Sequence, residues 1–428
     1  MSQKAHERPD RRTLTLMSGI DAGAVDAFDD SFDAMGQFTN TVAGDLRDPY
    51  PALAAKRREA PIELVMQEDF GGGAAPVVNV YTYDLVAQVL RDNVTFSSGA
   101  IRELMELVMG PFVLVGMDEP EHRRHRALVS AAFRHKSLVR WETEVIGPIV
   151  NDLIDGFADR DGVELVREFT YRFPVQIIAE ILGIPHEDHE KFHDMAVWVV
   201  NVAANPEKGI AASQALREYL ADIVEAKRSH PGDDVISLLV QEELDGESLD
   251  DEEIFSFLRL LLPAGAETTY RATGSFLYGL LTNRDQLDAL RADRSLMPQA
   301  VEESIRWESP LLITSREATV DCVVGGVEIP AGTQVTPNIG SGNHDETRWD
   351  HADDYDLFRP VVPHISFGVG PHMCLGMHLA RMEMGGAVNA LLDRFPNLRL
   401  DPEAVERDDP HIHGERFRSP TSLPVLFR

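Results

Sequence analysis

The chain has 428 residues, 43% of them hydrophobic, and a formal net charge of -31 at pH 7. That length can bury a large core, and length arithmetic by itself suggests two or three domains. So negative a charge argues against nucleic acid and against an anionic membrane as partners, because both repel it. The only cysteines, Cys322 and Cys374, leave no disulfide framework, which predicts a reducing, cytoplasmic setting.

Residues 1–40 carry many Asp, Gly and Ser with weak periodicity, which predicts a flexible N-terminal arm. Met1 to Arg12 has neither the apolar run of a signal peptide nor the length of a membrane span, so no membrane anchor is expected. Ordered structure is predicted to begin near Asp48-Pro49-Tyr50-Pro51, ahead of an Ala-rich helix. Ile62 to Met66 and Val77 to Tyr81 read as a small hairpin turning at Gly71-Gly72-Gly73. A short amphipathic helix follows from Thr82 to Leu90.

From Asn93 to Phe112 the pattern changes, with Leu104, Met105, Leu107, Val108 and Met109 showing no clear core face. Methionine fits irregular shapes, so this segment reads equally as a buried helix or as the wall of a ligand pocket. Next, Asp118 to Arg126 starts a helix near Pro120 and concentrates positive charge in an acidic chain. Most such runs are solvated faces. His122 and Arg126, however, are four apart and share a face from which both could reach an anion.

Glu142 to Leu244 is mainly helical, with breaks at Gly183-Ile184-Pro185, Asn205-Pro206 and His230-Pro231-Gly232-Asp233. Within it, Phe192 to Val202 is too apolar for a surface helix. Ile254 to Leu281 is the longest apolar helical pattern, and it is interrupted in the middle. Pro263 and Gly265 weaken the backbone ladder there, while Ala264 and Ala266 leave space. Glu267-Thr268 then places an acid and a hydroxyl where burial is expected, which calls for a satisfied network or a proton task.

Glu303-x-x-Arg306 sets opposite charges one turn apart, in isolation a surface pair worth a few tenths of a kcal/mol. Pro310 to Ile313 is apolar. Val320 to Ile329 and Gln334 to Thr336 read as short strands joined at Pro330-Ala331-Gly332, with Cys322 as packing. His413 to Arg418 reads as a turn.

The stretch Phe367 to Gly376 encloses one thiol among glycines directly ahead of a helical pattern (Leu375, Leu379, Met382, Val388). Cys374 is therefore expected near a helix N-terminus, where the macrodipole and unpaired N–H groups favour thiolate. The small residues let those N–H groups approach the sulfur. A lone Cys is most often a small buried hydrophobe; no second Cys or His stands at ligand spacing, which argues against zinc.

Phe367 to Arg381 resembles the haem-binding signature of the cytochromes P450 at its Phe, two Gly, His, Cys, Gly, Leu, Ala and Arg positions. Ala264-Gly265-Ala266-Glu267-Thr268 resembles that family's distal-helix motif. Glu303, Arg306 and Arg359 resemble its buried charge network, although Tyr355 stands where a Phe is more usual. The resemblance runs in motif order from about Asp48 to the C-terminus. It implies a mainly α fold with small β sheets, one domain over 41–428, and haem b between the distal helix and the Cys loop. Cys374 would be the iron ligand, its electron donation favouring O–O cleavage. Phe367, Gly368, Gly376 and Ala264 would line the haem, and His122, Arg126, Arg316 and His372 would hold its propionates.

The same resemblance implies that Glu267 and Thr268 deliver protons and that Val108, Met109, Leu312, Ile313 and Phe417 face the substrate. The implied activity is a monooxygenase of the soluble bacterial type, a monomer inserting one oxygen atom from O2 into a small lipophilic molecule. Hydroxylation and oxidative demethylation share that mechanism. Electrons would come from NAD(P)H through a separate ferredoxin and reductase, docking by charge near Arg123, Arg124, Arg134 and Lys136. A peroxide-driven peroxygenase and a non-catalytic haem-thiolate sensor are the alternatives; neither needs the Glu267-Thr268 pair.

Overall fold

The computed structural model describes residues 44–68, 74–200, 202 and 205–428. The expected arm over 1–40 and the Gly71-Gly72-Gly73 turn lie outside these. Helix α1 (Tyr50–Glu59) starts with a proline in its first turn and ends with Lys56, Arg57 and Arg58; both suit the helix geometry and dipole. Strands β1 (Ile62–Glu68) and β2 (Ala74–Val80) pair antiparallel, with Ile62 opposite Val80. The amphipathic α2 (Tyr83–Arg91) buries Val86, Val89 and Leu90.

Strands from distant sequence complete the main sheet and add a hairpin. They are β3 (Phe96–Ser97), β4 (Arg316–Ala318), β5 (Cys322–Val324), β6 (Val327–Ile329) and β7 (Gln334–Pro337). The main sheet has the order β1-β2-β7-β4-β3. The expected strand from Val320 to Ile329 is instead the β5–β6 hairpin. Gly325 and Gly326 adopt φ of +54° and +85°, which supplies the twist of a tight hairpin turn. Cys322 is half-buried against the core beside this sheet.

Helices form the larger core. In chain order, those that position the site are α3 (Gly99–Met109), α4 (Glu121–Ser130), α5 (Phe173–Leu182), α6 (His189–Val200), α7 (Pro206–Ser229) and α8 (Asp251–Leu261). They are followed by α9 (Thr268–Thr282), α10 (Met297–Trp307) and α11 (Met377–Arg394). Gly183 ends α5 in the left-handed region, and Asn205 caps α7 by accepting the Lys208 N–H, so the expected breaks fall where turn chemistry places them. A reciprocal capping box between Asp250 and Glu253 starts α8.

Between α8 and α9 the chain does not break. It widens into a π-helical segment, Leu262–Glu267. Pro263 lacks the N–H that an α-helix needs there, and the widened turn is a local answer to that gap. Helix α9 buries nearly every face and packs on α11 and α10. Among the described residues no helix is long and apolar enough to cross a membrane.

Candidate active site

Two glycines shape the Cys loop. Gly368 and Gly370 have φ of +68° and +81°, and a Cβ on Gly370 would fall 2.8 Å from the Arg91 Cα, so a larger residue is excluded. The Cys374 N–H donates to the Phe367 carbonyl at 2.7 Å and closes the loop. Helix α11 begins three residues later, and the Gly376 N–H is directed at the Cys374 sulfur. Cys374 keeps exposed surface although protein walls its thiol on most sides.

The expectation that the helix end by itself favours thiolate needs correction. Burial pushes the Cys374 thiol up, and the Gly376 N–H, Arg126 and Arg381 pull it only partly back. Desolvation outweighs a dipole that begins three residues away. A thiolate at this point therefore calls for a directly bound cation.

Ala264 is exposed although it lies within an interior helix whose neighbours Leu262, Ala266 and Glu267 are buried. The Thr268 hydroxyl donates to the Ala264 carbonyl at 2.8 Å. Glu267 is not left alone: Arg271, one turn on, donates to it at 3.2 Å and also to Ser419 Oγ at 3.0 Å. Burial still raises the Glu267 carboxyl, against the pull of Arg271. Phe417 enters the same network, its ring 5.5 Å from the Arg271 guanidinium.

His122, Arg126, Arg316 and His372 meet as expected. The rings of His122 and His372 lie 4.0 Å apart, and Ser98 Oγ is 3.3 Å from His372 Nε2. Arg126 donates to the Met373 carbonyl at 2.6 Å, and Arg316 to its neighbour Ser315 at 2.7 Å. Burial lowers His122 and Arg126 and takes Arg316 to about 10. It takes His372 to about 3, helped by repulsion from His122, Arg316 and Arg126. Both ring nitrogens of His122 and the Nε of Arg316 lack a hydrogen-bond partner; the nearest acid, Glu119, is 3.6 Å from His122. Four basic groups, two of them with orphaned donors, beside Cys374 fit a dianionic, metal-bearing group. Haem with its two propionates meets that description.

Glu303, Arg306 and Arg359 form the buried network anticipated. Glu303 accepts from Arg306 Nε at 2.7 Å and Nη2 at 2.8 Å, and from Arg359 Nε at 3.1 Å. Arg124 is committed to Glu247 and Glu253, at 2.6 and 2.7 Å, while the exposed Arg134 and Arg123 pair with Glu242 at 2.8 Å and Glu119 at 3.7 Å. Leu312 is buried against Gly340, where an added Cβ would fall 2.1 Å from its Cδ2, so it packs into protein while Ile313 stays half-buried. Met109 and Val108 are buried in the helical core.

Sequence reasoning missed two buried groups. Arg271 was legible from its spacing to Glu267. Glu383, on α11, bonds Thr269 and has no ion-pair partner among the described residues; burial pushes it up to about 8. Its signal was an acid within the apolar face of the helix after Cys374.

A family model described as Cytochrome P450 matches residues 195–413. Cytochrome P450 107B1 of Saccharopolyspora erythraea is 38% identical over 302 residues, 70% of this chain and 73% of its own length. Putative cytochrome P450 YjiB of Bacillus subtilis is 33% identical over 363 residues, 83% of this chain and 89% of its own. Among solved structures, CYP109E1 from Bacillus megaterium in complex with testosterone superposes with a TM-score of 0.80 at 31% identity, over 89% of this chain and 99% of that one. The chain belongs to the cytochrome P450 family. Its general activity is accordingly that of a haem-thiolate monooxygenase, an oxidoreductase that uses haem.

Proposed function

We propose that this monooxygenase hydroxylates or oxidatively demethylates a lipophilic substrate in the cytoplasm, as a monomer, with electrons from NAD(P)H through a ferredoxin and its reductase. The observation that carries the site assignment is the cluster of His122, Arg126, Arg316 and His372, whose donors lack an anion. In this reading Cys374 ligates the iron, the four bases hold the propionates, and Phe367, Gly368, Gly376 and Ala264 line the ring. Haem, when bound, supplies the iron at which dioxygen is reduced and one oxygen atom is passed to carbon.

The protein's own part is proton handling and exclusion of water. The Thr268 hydroxyl, held at the Ala264 carbonyl, stands ready to orient a proton donor toward the accessible face of the helix. Glu267 and Arg271 form a buried pair whose acid is poised toward protonation by burial, which suits a proton reservoir. Leu311, Ile313 and Phe417 are half-buried and supply apolar contact. A relative that binds testosterone supports a lipophilic body of that order of size. Arg123, Arg134 and Lys136, all exposed, are the remaining cations for an acidic ferredoxin.

Turnover that requires dioxygen, NADH, ferredoxin and reductase is the expected result for the haem-loaded chain. Turnover driven by peroxide alone would favour a peroxygenase, and none with any oxidant a sensor. Thr268→Ala should divert electrons from product to peroxide; coupling equal to wild type would refute the proton role.

A further inference from the structure

Arg381 ends the stretch that begins at Phe367, yet it has no part in the propionate cluster or in the Glu267 pair. It lies one turn into α11, where Nη1 reaches the Met377 carbonyl at 3.4 Å. Its guanidinium covers the Phe367 ring, with Cζ 4.5 Å from the ring centre. Phe367 is also the residue whose carbonyl accepts the Cys374 N–H at 2.7 Å. A cation is attracted to an aromatic face, so this charge is held against the residue that closes the Cys loop.

The guanidinium is fixed from its other side. Nε donates to Glu302 Oε1 and Nη2 to Oε2 at 3.0 Å, a two-armed pair that joins α10 to α11. His364 Nε2 stands 3.3 Å from the same Oε2, and its Nδ1 accepts the Ser366 N–H at 3.2 Å. Burial raises the Glu302 carboxyl, but His364 and Arg381 hold it down at about 2. The pair is therefore charged across the neutral range and has a set direction, its cation on the Phe367 ring and its anion on α10. Against the burial that raises the Cys374 thiol, Arg381 is one of two side-chain cations that pull it down.

We propose that Arg381 is a positioning residue for electron transfer: held by Glu302, it keeps positive charge against the Phe367 side of the Cys374 loop and raises the reduction potential of the bound iron. The proposal rests on Cys374 as the iron ligand. The step is the passage of one electron from ferredoxin to ferric iron, with no bond made or broken. Positive charge beside the ligand favours the state that holds the extra electron. Glu302 opposes that effect while it fixes the geometry.

The test is the potential of the haem-loaded full chain, read by reductive titration with mediator dyes. Arg381→Met should favour the ferric form about threefold to tenfold, a fall of about 30 to 60 mV at about 59 mV per tenfold for one electron. Arg381→Lys keeps the charge and should lie closer to wild type than to Arg381→Met. Glu302→Gln loosens the same contacts but removes the opposing anion, so it should raise the potential. A residue that only held the loop in place would move the Arg381→Met and Glu302→Gln potentials the same way. The proposal is overturned by an unchanged or higher potential in Arg381→Met, by a Lys variant as low as the Met variant, or by no rise in Glu302→Gln. If Arg381→Met does not retain haem, the sign of the Glu302→Gln shift decides. A wild-type reduced carbon monoxide complex without the thiolate-type spectrum would remove Cys374 as ligand, and the proposal with it, whatever the potentials.

Discussion

Two buried charge networks in this molecule use the same residue types and end differently. Around Glu303 the chain supplies its own anion. Both carboxylate oxygens are engaged by Arg306, Arg359 and the Asp356 N–H at 3.0 Å, and the remaining Arg306 donors reach the Asn343 and Ala352 carbonyls at 2.9 and 2.8 Å. Around His122, Arg126, Arg316 and His372 there are bases and orphaned donors but too little negative charge. A network that the chain closes belongs to the fold, and one that it leaves open is shaped for something else. Burial makes that difference count, because an unpaired charge is far more costly inside than at the surface.

Breaking the closed network should give the largest effect. Glu303→Ala leaves two buried guanidinium groups unpaired and should cost about 3–5 kcal/mol of stability, read as a lower midpoint of unfolding with or without haem. An unchanged midpoint would remove the distinction between the networks.

Arg316→Met sharpens the comparison because its sign should depend on occupancy. Without haem it removes a buried guanidinium that has no ion-pair partner among the described residues and should raise the unfolding midpoint. With haem it removes a charge-assisted bond and should weaken retention roughly 10- to 100-fold, measured by haem transfer to a competing apoprotein. Destabilisation of the haem-free chain with haem retention intact would contradict the reading.

The smallest effect concerns Glu383, a lone buried acid with no network. Its folded pKa, about 8, lies above the usual 4.5. The folded state therefore holds a proton that the unfolded chain releases, and stability is full below about pH 4.5 and declines as pH rises through 8. Glu383→Gln should flatten that decline, unfolding at a higher temperature than wild type at pH 9 and at nearly the same temperature at pH 5. Parallel pH profiles for the two proteins would show that Glu383 does not carry the dependence.

The electron-transfer surface illustrates where pattern reading stops. From sequence, Arg123, Arg124, Arg134 and Lys136 form one basic run. In the fold, Arg124 is claimed by Glu247 and Glu253, more than a hundred residues away, and the patch contracts to the exposed Arg123, Arg134 and Lys136. Leu312 likewise looked like a pocket residue and packs on Gly340, because alternate side chains of an extended segment face opposite ways.

The sequence by itself determined the Cys374 loop, the interrupted helix at Pro263, the Glu303 pair and the shared face of His122 and Arg126. These depend on local geometry: glycine torsions, a missing proline N–H and the helical repeat act within one element. Only the tertiary structure decided which charges are satisfied. Ser419 reaches Arg271, and Arg359 reaches Glu303. Partners come from chain segments far apart, and spacing within a segment carries no record of what lies across the core from it.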